Sequence, residues 1–394
     1  MQGVAETATT VAGYAFPNDF HVHWSLMIVL YPYITGIVAG AFIVSSLYHV
    51  FHIQALKPIA RFSLLFALAF LACATLPLLN HLGHPERAMN MFLTPNPSSA
   101  MAGFGYIYSA YGIVLLLEIL FIYRETMVKL KEKAVGFMKT VYEVLSMGSD
   151  NIGSRALALD HKVIAFLAAI GIPMACILHG YVGFIFGGVK ANSLWATPLM
   201  PVIFLLSACV SGIAGIIVAY LIIKPRAADS ECIRSCIKFL WGFFILDFVF
   251  EMLEIGMHAY QSTHHWHALH ELFWGPLYQS YWIYQVLIFS VIPFLILMGL
   301  SLIRFNNFIV KFFGFIASAM ILFQVLLMRW NVVIGGQLMS KSEQGVVGFH
   351  PEWIEKEGII PAIIIMVLPL IILFILSKVF PFWLPAESES SSSK

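Results

Sequence analysis

Charge is what this chain has least of. Lys, Arg, Asp and Glu make up 11% of its 394 residues, whereas a soluble domain carries about 25%. A water-facing globule with an ordinary surface is therefore excluded. Cysteine is also sparse, being confined to Cys73, Cys176, Cys209, Cys232 and Cys236. Four of these lie in apolar runs or at their ends, where a thiol behaves as a small hydrophobe, so no disulfide framework is implied. The one Cys-x3-Cys pair cannot ligate an iron–sulfur cluster, which needs four ligands. A membrane haem needs two histidines facing each other at one depth. His49 and His52 sit at one end of the first apolar run, whereas His179 and His258 lie toward the opposite ends of two others. No bound haem or iron–sulfur cluster is expected. There is no Walker-type motif, and no nucleic-acid partner is expected. Residues 1–20 contain no Lys or Arg, and the run that follows is too long for a signal h-region, so no cleavable signal is expected.

What is present is apolar sequence, 60% of the chain. It falls into nine runs, at 23–52, 58–82, 101–123, 160–187, 199–223, 236–260, 276–303, 309–334 and 360–383. Each exceeds the roughly 20 residues that cross a hydrocarbon core. Backbone amides in lipid must be satisfied within their own segment, so the runs are read as helices. The fold class is an all-α integral membrane protein, and membrane lipid is its first partner.

The basic residues supply an orientation. Alternate loops hold Lys57 and Arg61; Arg124, Lys129, Lys131, Lys133, Lys139, Arg155 and Lys162; Lys224, Arg226, Arg234 and Lys238; and Arg304 and Lys311. The intervening loops hold only Arg87, Lys190, Lys341 and Lys356. By the positive-inside rule the first set is cytoplasmic, with the N-terminus outside and the C-terminus inside. A basic amphipathic stretch from Thr126 to Met147 is expected on the inner membrane surface, and the Ser-rich tail 384–394 is expected to be disordered.

Ionisable groups inside a span are costly and are functional candidates by default. Asp247, Glu251, Glu254 and His258 follow one another at spacings of 4, 3 and 4, which places them within about 60° on one helix face. Such a column has two readings. It can relay protons, because neighbouring carboxylates share them, or it can form a buried ion-pair network with Arg329 on the eighth span. Glu118 is expected to meet an arginine near the cytoplasmic side. A second set gathers at the outer ends of the spans: Asn18, Asp19, His21 and His23; Asn80, His81, His84, Glu86 and Arg87; and His179 and Tyr181. It suits a redox headgroup whose oxygens gain and lose protons, since imidazole exchanges protons near neutral pH. It also reads as ordinary interfacial polarity. His264, His265, His267 and His270 beside Trp266 form a third set, read as an aromatic rim rather than a metal site.

Two motifs carry a family resemblance. Asn80-His81-Leu82-Gly83-His84-Pro85-Glu86-Arg87 resembles the segment after the second core helix of the NrfD/PsrC membrane subunits. Arg329-Trp330-Asn331-Val332-Val333-Ile334-Gly335-Gly336-Gln337 resembles that family's late-helix signature, and His179-Gly180-Tyr181-Val182-Gly183 is similar to the end of its fourth core helix. Within the family the chain looks most like DsrP, from the sulfite-reductase-associated membrane complex. The resemblance implies two four-helix bundles, 23–187 and 199–334, preceded by an outer segment 1–22 and followed by a peripheral helix 360–383. It implies electron exchange between a quinone, of the menaquinone type, and an extracytoplasmic iron–sulfur subunit of ferredoxin-like type. In the quinone site of the first bundle His81 is the reactive residue, with Asn80, Asp19, His21, His23, His179 and Tyr181 around it. Asp247, Glu251, Glu254, His258 and Arg329 fall on the proton-carrying positions of the second bundle. His81 stands where many members have Asp, and nine spans stand where close relatives have ten. Against this stand a secondary proton or ion transporter working through the acidic column, and a cofactor-free anchor for redox partners.

Overall fold

The computed structural model describes residues 22–262, 265–339, 343 and 345–383. Asp19, His21, His264 and the tail 384–394 lie outside the described residues. Every one of the nine apolar runs is a helix. They are α1 (Leu26–His49), α2 (Gln54–His81), α3 (Ala100–Lys131), α5 (Ser154–Gly187), α6 (Met200–Ile223), α7 (Ser230–Gln261), α9 (Tyr278–Leu302), α10 (Asn307–Leu338) and α11 (Ile359–Val379). Eight of these are long and apolar enough to cross a membrane. The exception, α7, has the length but carries Asp247, Glu251 and Glu254 in its apolar stretch. The chain is a multi-pass, all-α membrane protein.

Two shorter helices lie between the spans, α4 (Phe137–Leu145) and α8 (Trp266–Trp274). α4 falls within the stretch expected on a membrane surface and exposes Phe137 and Val144. Polar side chains start several spans by accepting the first free amide hydrogens. Ser25 accepts from Met27, Ser99 from Ala102, Asp229 from Glu231 and Asn306 from Ile309.

The spans alternate in direction, which puts the Lys- and Arg-rich loops at one end (the basic end) and His23, His81 and His265 at the other (the histidine end). α1 lies at the centre, with every residue from Met27 to Ser46 buried. A helix that is apolar on all sides is an interior helix. α1, α2, α3 and α5 pack around one another, and so do α6, α7, α9 and α10. The two groups meet mainly along α1 and α6, and α11 packs outside α2.

The α1–α6 contact depends on two glycines. A Cβ on Gly40 would lie 2.1 Å from the Ala208 carbonyl oxygen, and one on Gly212 would lie 2.3 Å from the Gly40 backbone. With no hydrophobic force between helices in lipid, such small-residue contacts let backbones approach and gain dispersion energy. Gly212→Ala is therefore expected to cost about 1–3 kcal/mol, the range for overpacking a tight contact. Thermal unfolding in detergent measures this, and an unchanged midpoint would mean the helices can separate freely.

Arg124 pairs with Asp160. It donates from Nε to Asp160 Oδ2 at 2.8 Å and from Nη1 to the Asn151 carbonyl at 3.0 Å. Glu118 is fully buried, and neither of its oxygens has a hydrogen-bond partner among the described residues. The expected Glu118–arginine pair does not form, because Asp160 on α5 already satisfies the arginine at the basic end of α3.

Candidate functional site

Arg329, near the histidine end of α10, has no exposed surface. α10 packs on α6, which turns the guanidinium toward α6 and α5. Nη2 donates to Ser207 Oγ and, at 3.4 Å, to the Phe204 carbonyl, and it lies 3.0 Å from His179 Nε2. A guanidinium can only donate, so His179 accepts at Nε2. The Phe204 ring lies under the guanidinium carbon, 3.8 Å from its centroid. His179, itself fully buried, thereby joins the two helix groups through one hydrogen bond.

The expected ion pair between Arg329 and the acidic face of α7 is not what forms. Glu254 lies 3.0 Å from His258 on its own helix, and among the described residues Arg329 hydrogen-bonds no carboxylate. The helix pattern places the acids on one face of α7. It does not say which way α10 turns its arginine. Asp247 is fully buried and neither oxygen has a hydrogen-bond partner among the described residues, although it and Glu251 lie within electrostatic range of the guanidinium.

Glu251 is held by amides instead. Gln285 Nε2 donates to it at 3.2 Å and Gln324 Nε2 at 3.4 Å, while Asn331 Nδ2 donates to Gln285 Oε1 at 2.8 Å. Gln285 and Asn331 both sit in π-helical windings, Tyr278–Val291 and Asn331–Gly335, a distortion common at functional positions. Glu251 and Glu254, with Tyr281, Gln285 and Asn331, line a cavity of about 60 Å³, large enough for water. Gln285 and Gln324 were not singled out from the sequence. Their signal was an isolated amide in an apolar run, a group that costs energy unless it finds a partner.

At the histidine end, His81 Nδ1 lies 2.7 Å from Glu357 Oε2, with about a quarter of the His81 side chain exposed. Its Nε2 has no hydrogen-bond partner among the described residues. Asn80 donates to the Lys356 carbonyl, and Lys356 Nζ donates to the Leu82 carbonyl at 2.9 Å. The end of α2 is thus clasped by the loop that leads into α11. Glu357 was another residue the sequence reading missed, since nothing in a loop sequence says which helix end it meets. No hydrogen bond or ring contact joins His81 to His179 or Tyr181. Tyr181 packs against Gly103, so closely that a Cβ there would lie 2.4 Å from its hydroxyl.

His23 lines a different cavity, of about 230 Å³, with Trp24, Asn192, Trp195 and Gln337. Gly336 and Gln337 of the Gly-Gly-Gln motif form part of its wall. A Cβ on Gly336 would fall 2.3 Å from Trp195 Nε1, and that nitrogen donates to the Val332 carbonyl at 2.6 Å. Trp195 in turn stacks on Trp24, with centroids 4.9 Å apart. Gln337 accepts from the Trp24 amide at 2.9 Å and donates to its carbonyl at 3.2 Å. In the His-rich stretch, His265 pairs with Glu343 at 2.9 Å and His270 stacks on Trp274. Among the described residues no three His, Cys, Asp or Glu side chains are placed to hold a metal ion.

Residues 17–341 match the family model described as polysulphide reductase, NrfD. The chain belongs to the NrfD family. It is 29% identical over 281 residues to a selenate reductase subunit of Mesobacillus selenatarsenatis, covering 70% of this chain and 66% of that one. It is 28% identical over 256 residues to a putative dimethyl sulfoxide reductase membrane subunit of Halobacterium salinarum, covering 64% and 54%. The match spans less than two thirds of either relative's own length. The Hdr-like menaquinol oxidoreductase integral membrane subunit of Archaeoglobus fulgidus is 24% identical, covering 86% of this chain and 81% of its own. The NrfD region ends at residue 341, so Glu357 and α11 lie beyond it. The carboxylate that meets His81 comes from outside the family region.

Proposed function

We propose that this NrfD-family chain is the quinone-reactive membrane subunit of a respiratory redox complex in a prokaryotic cytoplasmic (inner) membrane. It exchanges electrons between a menaquinone-type quinone and an iron–sulfur subunit docked at its histidine end, which faces outward. The observation that carries this reading is His81, a partly exposed imidazole oriented by Glu357 on a motif resembling the family's quinone site. A carboxylate at Nδ1 favours the tautomer with its proton there and leaves Nε2 free to accept. Oxidation of a quinol releases two electrons and two protons. The electrons pass to the iron–sulfur partner, His81 Nε2 takes the proton of one quinol hydroxyl and water at the histidine end takes that of the other; in the reverse direction the two protons return. The names of the relatives support a redox setting, and one of those names includes menaquinol. Sulfur compounds as the terminal substrate rest on the resemblance to DsrP.

The α7 column is read as the proton route of the same complex, running through Asp247, Glu251, Glu254 and His258, with the water-sized cavity beside Glu251 and Glu254. Glu251→Gln keeps an acceptor for Gln285 and Gln324 but removes the proton-carrying group. In proteoliposomes this variant is expected to keep quinol oxidation and lose the part of the transmembrane pH change that exceeds the two protons released by each quinol. A wild-type ratio of protons released to electrons transferred in Glu251→Gln would remove the column from proton transfer. The same cavity favours a second reading, a proton transporter independent of redox chemistry. Proton movement in proteoliposomes without quinol or electron acceptor would select that reading.

A further inference from the structure

α11 lies outside the NrfD region, yet its C-terminal end is firmly attached to the core. Trp383 stacks on Phe62 with centroids 5.3 Å apart and packs on Tyr220 at 5.2 Å, while Phe380 meets Tyr123 at 5.0 Å. Above this staple α11 packs along α2, and between it and α1, α2, α6 and α10 there is a cavity of about 750 Å³ toward the basic end. Its floor is buried and apolar, built from Ile37, Phe66, Phe70 and Leu373. Its rim, at Ile222, Leu370 and Phe374, is exposed and opens sideways, where the bilayer would be.

Two cations stand at the lower rim. Lys224 Nζ lies 4.2 Å from the centroid of the Trp383 ring, and Lys378 Nζ lies 4.7 Å from that of Phe374. Both rings line the groove. Among the described residues neither lysine is ion-paired with a carboxylate. Each ammonium is thus carried on an aromatic face beside an apolar slot, a setting that suits a phosphate whose acyl chains fill the slot. Basic pockets between membrane helices recognise anionic lipid headgroups in this way. A quinone ring fits less well, because its oxygens need donors. The hydroxyls of Tyr33 and Ser377 in the lining already donate, to the Leu322 carbonyl at 3.2 Å and the Phe374 carbonyl at 2.6 Å.

We propose that the groove between α11 and the family core is a binding site for one anionic phospholipid, its acyl chains against Phe66 and Phe70 and its phosphate between Lys224 and Lys378. The added helix then serves to hold a lipid against the core, and the site is independent of the quinone reading. The test is native mass spectrometry of the purified full-length protein, with phospholipid classes in its extract quantified in parallel. Wild type is expected to retain an anionic phospholipid. Lys224→Gln combined with Lys378→Gln should lower the preference for anionic over zwitterionic phospholipid by roughly tenfold or more. Ala219→Phe, which fills the groove, should remove the lipid. Titration of delipidated wild type with phosphatidylglycerol and phosphatidylcholine gives the same preference without any variant. Equal affinity for the two lipids, no retained phospholipid, or a quinone displaced by Ala219→Phe would each overturn the proposal.

Discussion

Replacing Arg329 with methionine is expected to cost the folded protein about 3–5 kcal/mol, the range for removing one member of a buried charged set. Methionine replaces much of the aliphatic stem, so the loss is mainly polar. His179 Nε2, Ser207 Oγ and the Phe204 carbonyl lose their common donor. Asp247 and Glu251 lose the cation within their electrostatic range. Arg329→Lys keeps the charge but not the planar group that stacks on Phe204 while reaching two helices, so it should recover only part of the stability. Thermal unfolding in detergent reads both variants. A methionine variant within about 0.5 kcal/mol of wild type, the spread of inert surface changes, would show that the arginine is not the tie between the two helix groups.

The second large effect belongs to His81. His81→Ala is expected to lower quinol-dependent electron transfer by about 10²–10⁴-fold, the usual contribution of a positioned acid–base group, with the protein still folded. Glu357→Gln should lose less, because it weakens the orientation of the imidazole while leaving Nε2 in place. Steady-state oxidation of a soluble menaquinol analogue by the assembled complex measures both. Equal activity in His81→Ala and wild type would move the proton acceptor elsewhere, and the His23 cavity beside Trp24 and Gln337 would be the next place to look.

The architecture was legible because lipid imposes a length on each segment. All nine apolar runs are helices where the hydropathy placed them, and eight of them are long and apolar enough to cross a membrane. α3 continues past residue 123 to Lys131, because helix-forming residues extend it beyond the hydrocarbon. The acidic face of α7 was equally legible, since positions 247, 251, 254 and 258 share a face on any α-helix. Pairings between helices were not. Arg329 selects His179 and Ser207 over Glu254 because of how α10 is rotated against α6, which no single-helix periodicity contains. Gln285 and Gln324 escaped notice for the same reason, since an amide in an apolar run announces a partner without naming it. Glu357 reaches His81 across 276 residues of chain, through a loop with no periodicity to read.

The most direct test of the account is binding of a fluorescent quinol-site inhibitor to the purified protein, wild type against His81→Ala, with folding and assembly followed in the same preparations. Saturable binding to wild type that is lost in a folded His81→Ala protein is the predicted result, and it places quinone chemistry at the histidine end of α2. Absence of binding to properly assembled wild type, or undiminished binding to His81→Ala, would contradict it.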